Sequence, residues 1–277
     1  MIFDFSELND SSLEYIDKIV ERYKEAVVPF YTDNLEKGND FNGFGSGFVV
    51  KHKGSYFVVT AEHVMSDAKR YGTSAIAFGE RKMILEHISV VFHKDRDVAV
   101  FCIDKWMKSK GIENLPHITL YKDDSFQSID GCPYFLLMGY PGTKNRVRDY
   151  RRGLNPHLFS ITAEQTAPVE KLRTNAESPL YYEFNPKKLV DSFSKKFGSP
   201  PDLYGMSGGP AFELVARRPL LMLSVTKVEF SLCFRGVLIE WHKSHKCILS
   251  SMNDIVETLV EMSLEEEEKY TSLSSYD

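Results

Sequence analysis

Cysteine is scarce in this chain, and so are long apolar runs. The 277 residues, of which 43% are hydrophobic, include four cysteines, Cys102, Cys132, Cys233 and Cys247. They are too few and too scattered for a disulfide scaffold in a chain that can build its own apolar core. We therefore expect a folded protein of a reducing compartment, with one large β domain or two smaller domains.

The nearly uncharged apolar stretches are short, and no export signal is evident. Pro133–Tyr140 and Pro219–Val225 fall far below the ~20 apolar residues that a membrane helix needs. The first residues, Met1–Glu7, carry acids where a secretory signal needs a basic region and an apolar run. We expect a cytoplasmic protein that does not bind membranes.

A strong excess of one charge is confined to the tail. Glu261–Asp277 holds six acids and one base, which gives the whole net charge of −5 and leaves the preceding residues neutral. Lys and Arg carry most affinity for nucleic acids, so we expect no nucleic-acid partner. One basic cluster is interpreted as a solvated loop. It comprises Lys144, Arg146, Arg148, Arg151 and Arg152.

Short runs rich in Val, Ile, Phe and Tyr, separated by Gly, Asp, Asn and Lys, predict an all-β protein. The strands predicted in the first half are Val27–Tyr31, Gly47–Lys51, Tyr56–Thr60, Ser74–Phe78, Ile84–Val91 and Val98–Ile103. Those predicted in the second half are Tyr134–Tyr140, Leu158–Thr166, Leu180–Phe184, Ala211–Val215, Leu220–Val228, Arg235–Trp241 and Cys247–Leu249.

Helices are predicted only at the two ends. Ser11 and Glu14 have the spacing of a capping box, and the apolar period that follows predicts an amphipathic helix over Ser12–Ala26. A second helix is predicted over Met252–Leu264. The resulting division is an N-terminal segment (1–26), a first β unit (27–120), a second β unit with the closing helix (121–264) and an acidic disordered tail (265–277).

The residues best suited to chemistry are a serine between glycines, a histidine and an aspartate. The run Gly205–Pro210 places Ser207 on a turn where a carbonyl can approach, and the Gly205 and Ser207 N–H groups can stabilise an oxyanion. A serine hydroxyl needs a base and a carboxylate that orients the base. His63 follows an apolar strand and Asp97 precedes another, with Asp95 as the nearest competitor.

Taken in order, these segments resemble the chymotrypsin-like (trypsin-fold) serine peptidases, especially bacterial members close to the high-temperature-requirement proteases. The resemblance rests on five motifs: Gly45–Val50, Val59–Val64, Asp97–Val100, Gly139–Gly142 and Gly205–Pro210. It implies two six-stranded antiparallel β-barrels with a catalytic triad in the cleft between them. It further implies Ser207 as nucleophile, His63 as general base, Asp97 as the residue that orients His63, and the Gly205 and Ser207 N–H groups as oxyanion hole.

The resemblance also implies a function, with which two other functions compete. We expect an intracellular serine endopeptidase that cleaves polypeptides through an acyl-enzyme, needs no metal or cofactor, and is switched on by a regulatory protein partner in a stress or defence pathway. Met206 occupies the position where secreted relatives carry an activating aspartate. The alternative is a catalytically silent peptide-binding module or scaffold on the same fold. An esterase of another fold is disfavoured by the order His, Asp, Ser.

Substrate specificity stays open at the level of sequence. By the resemblance, Ile239, Glu240 and Trp241 line the primary specificity pocket and pair with an extended substrate. Glu240 would then favour a basic side chain, unless strand alternation points it to solvent or Asp202 supplies the acid instead.

Two further patterns are interpreted as non-functional. Cys233, His242, His245 and Cys247 match no standard zinc spacing, and Gly43–Gly47 lacks the lysine of a phosphate loop.

Overall fold

The computed structural model of the chain describes residues 2–4, 18, 20–34, 40–71, 74–120, 127–128, 134–142, 144–147, 156–184, 202–217 and 227–273. Most of the regular structure in these residues is antiparallel β-sheet, built from the Val-, Ile-, Phe- and Tyr-rich runs. The all-β fold class predicted from the sequence is confirmed, with helices near both ends.

The described strands follow in chain order. They are β1 (Ile2–Asp4), β2 (Val27–Asn34), β3 (Asp40–His52), β4 (Ser55–Thr60), β5 (Ser74–Phe78), β6 (Arg81–Ile84), β7 (Val91–His93), β8 (Val98–Cys102), β9 (Gln127–Ser128), β10 (Tyr134–Gly139), β11 (Arg146–Val147), β12 (Phe159–Thr166), β13 (Leu180–Glu183), β14 (Pro210–Arg217), β15 (Lys227–His242) and β16 (Cys247–Ser250).

The strands form two sheets, and apart from β1 and β11 each sheet is built from one half of the chain. The first has the order β6-β5-β2-β3-β4-β8-β7, with β11 added to β3. In the second, β15-β16-β13-β12-β10-β14 closes on itself because β14 also pairs with β15, which makes a six-stranded barrel. β1 and β9 extend this barrel at its edges. The arrangement agrees with the predicted pair of chymotrypsin-like barrels.

Three α-helices are fully bounded in the described residues: the histidine helix (Glu62–Arg70), Asp104–Ser109 and the C-terminal helix (Asn253–Leu273). Residues 20–23 are helical and lead into a 3₁₀ turn, Lys24–Ala26; a second 3₁₀ turn spans Lys243–His245. No helix among the described residues is long and apolar enough to cross a membrane.

The end of the predicted N-terminal helix packs on the barrels. Val20 is fully buried in a core cluster shared by both halves of the chain, and the Tyr23 ring lies 5.2 Å from the Phe212 ring. The earlier part of the prediction, including Leu13 and Ile16, lies outside the described residues.

The structure differs from the sequence predictions in three places. The strand predicted over Ile84–Val91 is wrong: β6 ends at Ile84, β7 begins at Val91, and a turn with His87 at φ 58° lies between them. The histidine helix and the helix Asp104–Ser109 were not predicted, since both are short. The tail predicted to be disordered from residue 265 is helical as far as Leu273.

Contacts with the first sheet explain why the C-terminal helix continues. Glu261 accepts hydrogen bonds from Lys53 (2.8 Å) and pairs with His52 (2.6 Å), and Glu267 pairs with Lys105 (2.7 Å). The apolar face of the helix lies in the core shared by both halves; it comprises Val256, Leu259 and Val260. The helix therefore joins the second half of the chain to the first. The domain boundaries themselves stay a prediction.

The packing of this helix gives a stability prediction. Leu259 is 2% exposed, so Leu259→Ala should lower the free energy of unfolding by about 2–5 kcal/mol, through lost burial and the cavity left behind. Urea unfolding monitored by tryptophan fluorescence measures the change. Glu257→Ala, an exposed position two residues earlier on the same helix, is the control and should change stability by less than about 0.5 kcal/mol. Equal effects of the two substitutions would contradict this packing.

Candidate active site

The structure brings His63 and Asp97 into direct contact. The His63 Nδ1 lies 2.7 Å from Asp97 Oδ2, and the backbone N–H of His63 donates to Asp97 Oδ1 at 2.9 Å. Asp97 comes directly before β8 and adopts a left-handed conformation, φ 51°, which Asp tolerates better than most residues. Because Asp97 engages Nδ1, Nε2 is the ring nitrogen of His63 that is left to act on another group.

Asp97 also takes the place of a local helix cap. The N-cap residue of the histidine helix is Ala61, which has no side-chain oxygen to accept a backbone N–H. Asp97 supplies that acceptor from a distant part of the chain, at the positive end of the helix dipole. His63 therefore lies in the first turn of a helix, where the sequence suggested only a strand end.

The pairing changes the acidity of the imidazole. Burial disfavours the imidazolium, whereas the hydrogen bond and the negative charge of Asp97 favour it, and the net effect of all contributions raises the pKa of His63. Asp67 and Glu62, on the same helix, act in the same direction through their charges. The side chain of Asp95, the competing aspartate, makes no hydrogen bond to His63. The Asp95 backbone carbonyl accepts the N–H of Glu177.

Ser207 lies on a tight turn directly before β14 whose shape requires glycine. Gly205 and Gly208 adopt φ of 96° and 89°, a region that L side chains rarely occupy. A Cβ on Gly205 would lie 2.7 Å from the Gly142 nitrogen, and one on Gly208 would lie 1.9 Å from the Ser46 carbonyl oxygen. The loop is therefore pressed against both halves of the chain.

The peptide groups of this loop direct two N–H groups away from the protein body. The Tyr204 carbonyl accepts from Gly142 at 2.6 Å, and the Met206 carbonyl accepts from Gly209 at 3.0 Å. In a trans peptide the N–H points opposite to the carbonyl, so the N–H groups of Gly205 and Ser207 point the other way. Neither has an acceptor among the described residues. Two such donors side by side suit an oxyanion.

The Ser207 hydroxyl is not joined to His63 in this structure. Its Oγ donates to the Ile239 carbonyl at 3.1 Å, and no hydrogen bond links it to the imidazole, both residues being fully described. The structure thus brings His63 to Asp97 and Ser207 to the strand β15, but leaves the predicted nucleophile and base unconnected.

Ser46 is a residue of the site to which sequence reasoning gave no role. Its Oγ donates to the Gly205 carbonyl at 2.6 Å and accepts from the Tyr140 N–H at 2.8 Å. Its backbone N–H donates to the Ser207 carbonyl at 2.8 Å. A serine between two glycines within a strand, Gly45-Ser46-Gly47, was the signal that could have revealed it, since the glycines allow the serine loop to approach.

The predicted specificity residues line a cavity beside Ser207. Ile239, Glu240 and Trp241 are joined there by other side chains that are mostly apolar: Leu203, Met206, Leu238 and Ile248. The Glu240 carboxylate is held by Thr174 (2.7 Å) and His242 (2.6 Å). Asp202, the competing acid, is exposed and accepts the Tyr204 N–H; it is not among the lining residues of this cavity.

The structure places the remaining sequence patterns in strands and on the surface. His242 contacts Glu240, and no group of three or more Cys, His, Asp or Glu side chains within the described residues is placed to hold a metal. The glycine-rich run Gly43–Gly47 lies inside β3. Of the basic cluster, Lys144 is exposed and Arg146 lies in β11, whereas Arg148, Arg151 and Arg152 lie outside the described residues.

A comparison with protein families decides what kind of domain carries this site. The trypsin-like peptidase domain matches residues 45–217, more than half of the chain. The chain belongs to the trypsin-like peptidase family. The matched span includes His63, Asp97 and Ser207, and the resemblance stated from the sequence is confirmed. No curated protein sequence matches the chain.

The trypsin-like peptidase fold is also found in the structures that this chain resembles. The HtrA-type protease AlgW with tripeptide has 17% identity and a TM-score of 0.52, over 91% of this chain and 64% of that one. Another AlgW structure, with decapeptide, has 15% identity and a TM-score of 0.49, over 90% and 66%. This chain therefore spans less than two thirds of AlgW in each comparison, and the likeness is one of fold.

The contact between His63 and Asp97 gives a titration prediction. Asp97→Asn should lower the pKa of His63, because it removes the negative charge that favours the imidazolium. NMR titration of the His63 ring measures the shift. A raised folded pKa also means that the pair stabilises the fold below about pH 6.5 and that this contribution is lost as pH rises through the folded value. An unchanged His63 pKa in Asp97→Asn would contradict the assignment.

Proposed function

We propose that this trypsin-like peptidase domain hydrolyses peptide bonds of polypeptides through Ser207, His63 and Asp97. The observation that supports it best is the His63–Asp97 contact, in a chain whose Gly205 and Ser207 N–H groups have no acceptor among the described residues. A base oriented by a carboxylate and a preorganised oxyanion site are the two requirements of acyl transfer by a serine.

In the proposed reaction, His63 Nε2 takes the proton of Ser207 as Oγ attacks the scissile carbonyl carbon. The carbonyl oxygen becomes an oxyanion that accepts from the Gly205 and Ser207 N–H groups. His63 then gives the proton to the leaving amine, the C–N bond breaks, and an acyl-enzyme forms. Water repeats the sequence and releases the acid. Asp97 keeps the imidazole in the required tautomer and stabilises the imidazolium.

Substrate binding supplies the step that frees Ser207. An extended substrate that pairs with Ile239–Trp241 donates a backbone N–H to the Ile239 carbonyl, the group that accepts from Ser207 Oγ at rest. The hydroxyl then loses its partner and turns to His63. On this proposal the resting site is held apart by a hydrogen bond that substrate replaces, and a regulatory protein partner that moves β15 would act on the same bond.

The cavity beside Ser207 favours an apolar side chain on the acyl side of the scissile bond. Its lining is dominated by Leu203, Met206, Ile239 and Ile248, and both oxygens of Glu240 are engaged by neighbours. A basic side chain would have to compete with His242 for that carboxylate. We further propose a reducing, cytoplasmic setting, in which Cys102 and Cys247 function as thiols.

One observation favours a second candidate function. Because Ser207 is bonded to Ile239 and not to His63, the same cleft would serve a catalytically silent peptide-binding module if that bond persisted with peptide bound. The experiment on serine reactivity below separates the two.

A fluorophosphonate probe tests the nucleophile without knowledge of the substrate. We expect labelling at Ser207 in the wild type, none in Ser207→Ala, and a loss of at least about 10³-fold in rate in His63→Ala, as is typical of the triad. Mass spectrometry of the labelled peptide locates the site. Absence of labelling in folded wild-type protein, with or without added peptide, would reject the peptidase and leave the binding module.

A second experiment tests the role of Ser46 as a positioning residue. Ser46→Ala leaves the Gly205 carbonyl and the Tyr140 N–H without their buried partner, a cost of about 1–3 kcal/mol per group. We expect at least a tenfold slower labelling of Ser207. Ser109→Ala, which alters an exposed serine bonded to Trp106, is the control and should label at the wild-type rate. Equal rates for Ser46→Ala and wild type would exclude this role.

A further inference from the structure

A stripe of three side chains leads away from the base along the histidine helix. His63, Asp67 and Tyr71 are spaced by four residues, and the Tyr71 N–H donates to the Asp67 carbonyl at 2.9 Å, so the helical turn reaches Tyr71. Residues four apart lie on the same side of a helix. At 1.5 Å per residue, Asp67 and Tyr71 lie about 6 and 12 Å from His63 along the axis.

Tyr204 faces this stripe from the other half of the chain. Its backbone is fixed at both ends, since its N–H donates to Asp202 and its carbonyl accepts from Gly142. Its ring lies close to Gly142, and its hydroxyl interacts with Tyr71. Tyr204 and Tyr71 are nevertheless 55% and 39% exposed; among the described residues they and Phe92 are the exposed large aromatic side chains.

These aromatic side chains lie outside the acyl-side cavity. The acyl-side cavity is lined by residues before and after Tyr204, namely Leu203 and Met206, but neither Tyr204 nor Tyr71 lines it. The Tyr204 ring turns instead toward Gly142, on the opposite side of the Gly205 N–H. In the proposed reaction His63 protonates the leaving amine, so substrate residues that follow the scissile bond pass His63 and continue along the stripe.

The chemistry of this surface is aromatic and acidic. Burial, the Tyr71 hydroxyl and the charge of Asp67 together raise the pKa of Tyr204 to about 12, so the Tyr204 phenol stays neutral near pH 7. The Asp67 carboxylate has no hydrogen bond or ion pair within the described residues. Exposed tyrosine faces next to an unpaired carboxylate suit a cationic side chain, which gains from both.

We propose that Asp67, Tyr71 and Tyr204 form a subsite for a basic side chain, two or three residues after the scissile bond. An extended substrate advances about 3.3 Å per residue, so its second and third leaving-group residues reach the level of Asp67 and the tyrosines. The inference deepens the proposed function and rests on it, because it assigns these residues to substrate leaving Ser207.

Acyl transfer tests this subsite without a known natural substrate. N-acetyl-alanine p-nitrophenyl ester acylates Ser207 and releases p-nitrophenol as a burst. An added peptide amide then attacks the acyl carbon with its amino group, forms a peptide bond and returns the hydroxyl to Ser207, whose proton comes back through His63. By microscopic reversibility the attacking amine occupies the leaving-group subsites. The compared nucleophiles are Ala-Arg-amide and Ala-Ala-Arg-amide against their citrulline counterparts, which keep the size but lack the charge.

We expect the better arginine nucleophile to be preferred over its citrulline counterpart by about tenfold in the wild type, the combined effect of an exposed cation–π contact and an ion pair. Asp67→Asn and Tyr204→Leu should each lower the preference below about threefold. Because the preference is a ratio of two nucleophiles that attack the same acyl-enzyme, a change in acylation through the pKa of His63 does not alter it. Glu257→Gln removes an exposed carboxylate elsewhere and should keep the full preference.

The outcomes are distinguishable. A normal burst with equal transfer to arginine and citrulline nucleophiles would overturn the subsite and leave the peptidase standing. The same holds for a preference that survives Asp67→Asn. A missing burst in the wild type would overturn the proposed function, and the subsite with it. Preference for a large uncharged nucleophile would replace the basic occupant with an apolar one, which also contradicts the proposal.

Discussion

The hydrogen bonds of Ser46 connect the two halves of the molecule at the point where the candidate chemistry takes place. Ser46 belongs to β3 in the first sheet, whereas Gly205 and Ser207 belong to the loop that precedes β14 in the second. With its Oγ and its N–H, Ser46 binds the carbonyl groups on one side of that loop. The N–H groups of Gly205 and Ser207 belong to the preceding peptide groups, whose Tyr204 and Met206 carbonyls are bound by Gly142 and Gly209. Ser46 is fully buried, so its bonds are not exposed to competition from water.

Asp97 makes a comparable connection within the first half. One carboxylate oxygen accepts the backbone N–H that begins the histidine helix, and the other contacts the imidazole on that helix. The position and the tautomer of His63 therefore depend on the same side chain. Ala61 provides no side-chain cap of its own. The start of the helix and the orientation of the base therefore both depend on Asp97, a residue distant in sequence.

On the proposed function, the two sides of the cleft differ in chemistry. The acyl side is a mostly apolar cavity bounded by β15, whose Ile239 carbonyl holds Ser207 at rest. The other side carries the tyrosines of both halves and the carboxylate of Asp67. A substrate that satisfies both sides would combine an apolar residue before the scissile bond with a basic residue after it. Such a combination would make the substrate preference narrower than membership of the trypsin-like peptidase family implies.

The sequence by itself determined the fold class, the order of most strands and the candidate residues His63, Asp97 and Ser207, because alternating apolar runs and glycine-flanked motifs are local patterns. Only the tertiary structure decided how these residues meet. The role of Ser46, the capping of a distant helix by Asp97 and the bond from Ser207 to Ile239 each join residues at least 30 positions apart. The helix beyond residue 264 likewise depends on contacts with Ser89 and Lys105. Such contacts leave no periodic trace in a sequence, since they arise when two separately folded surfaces come together.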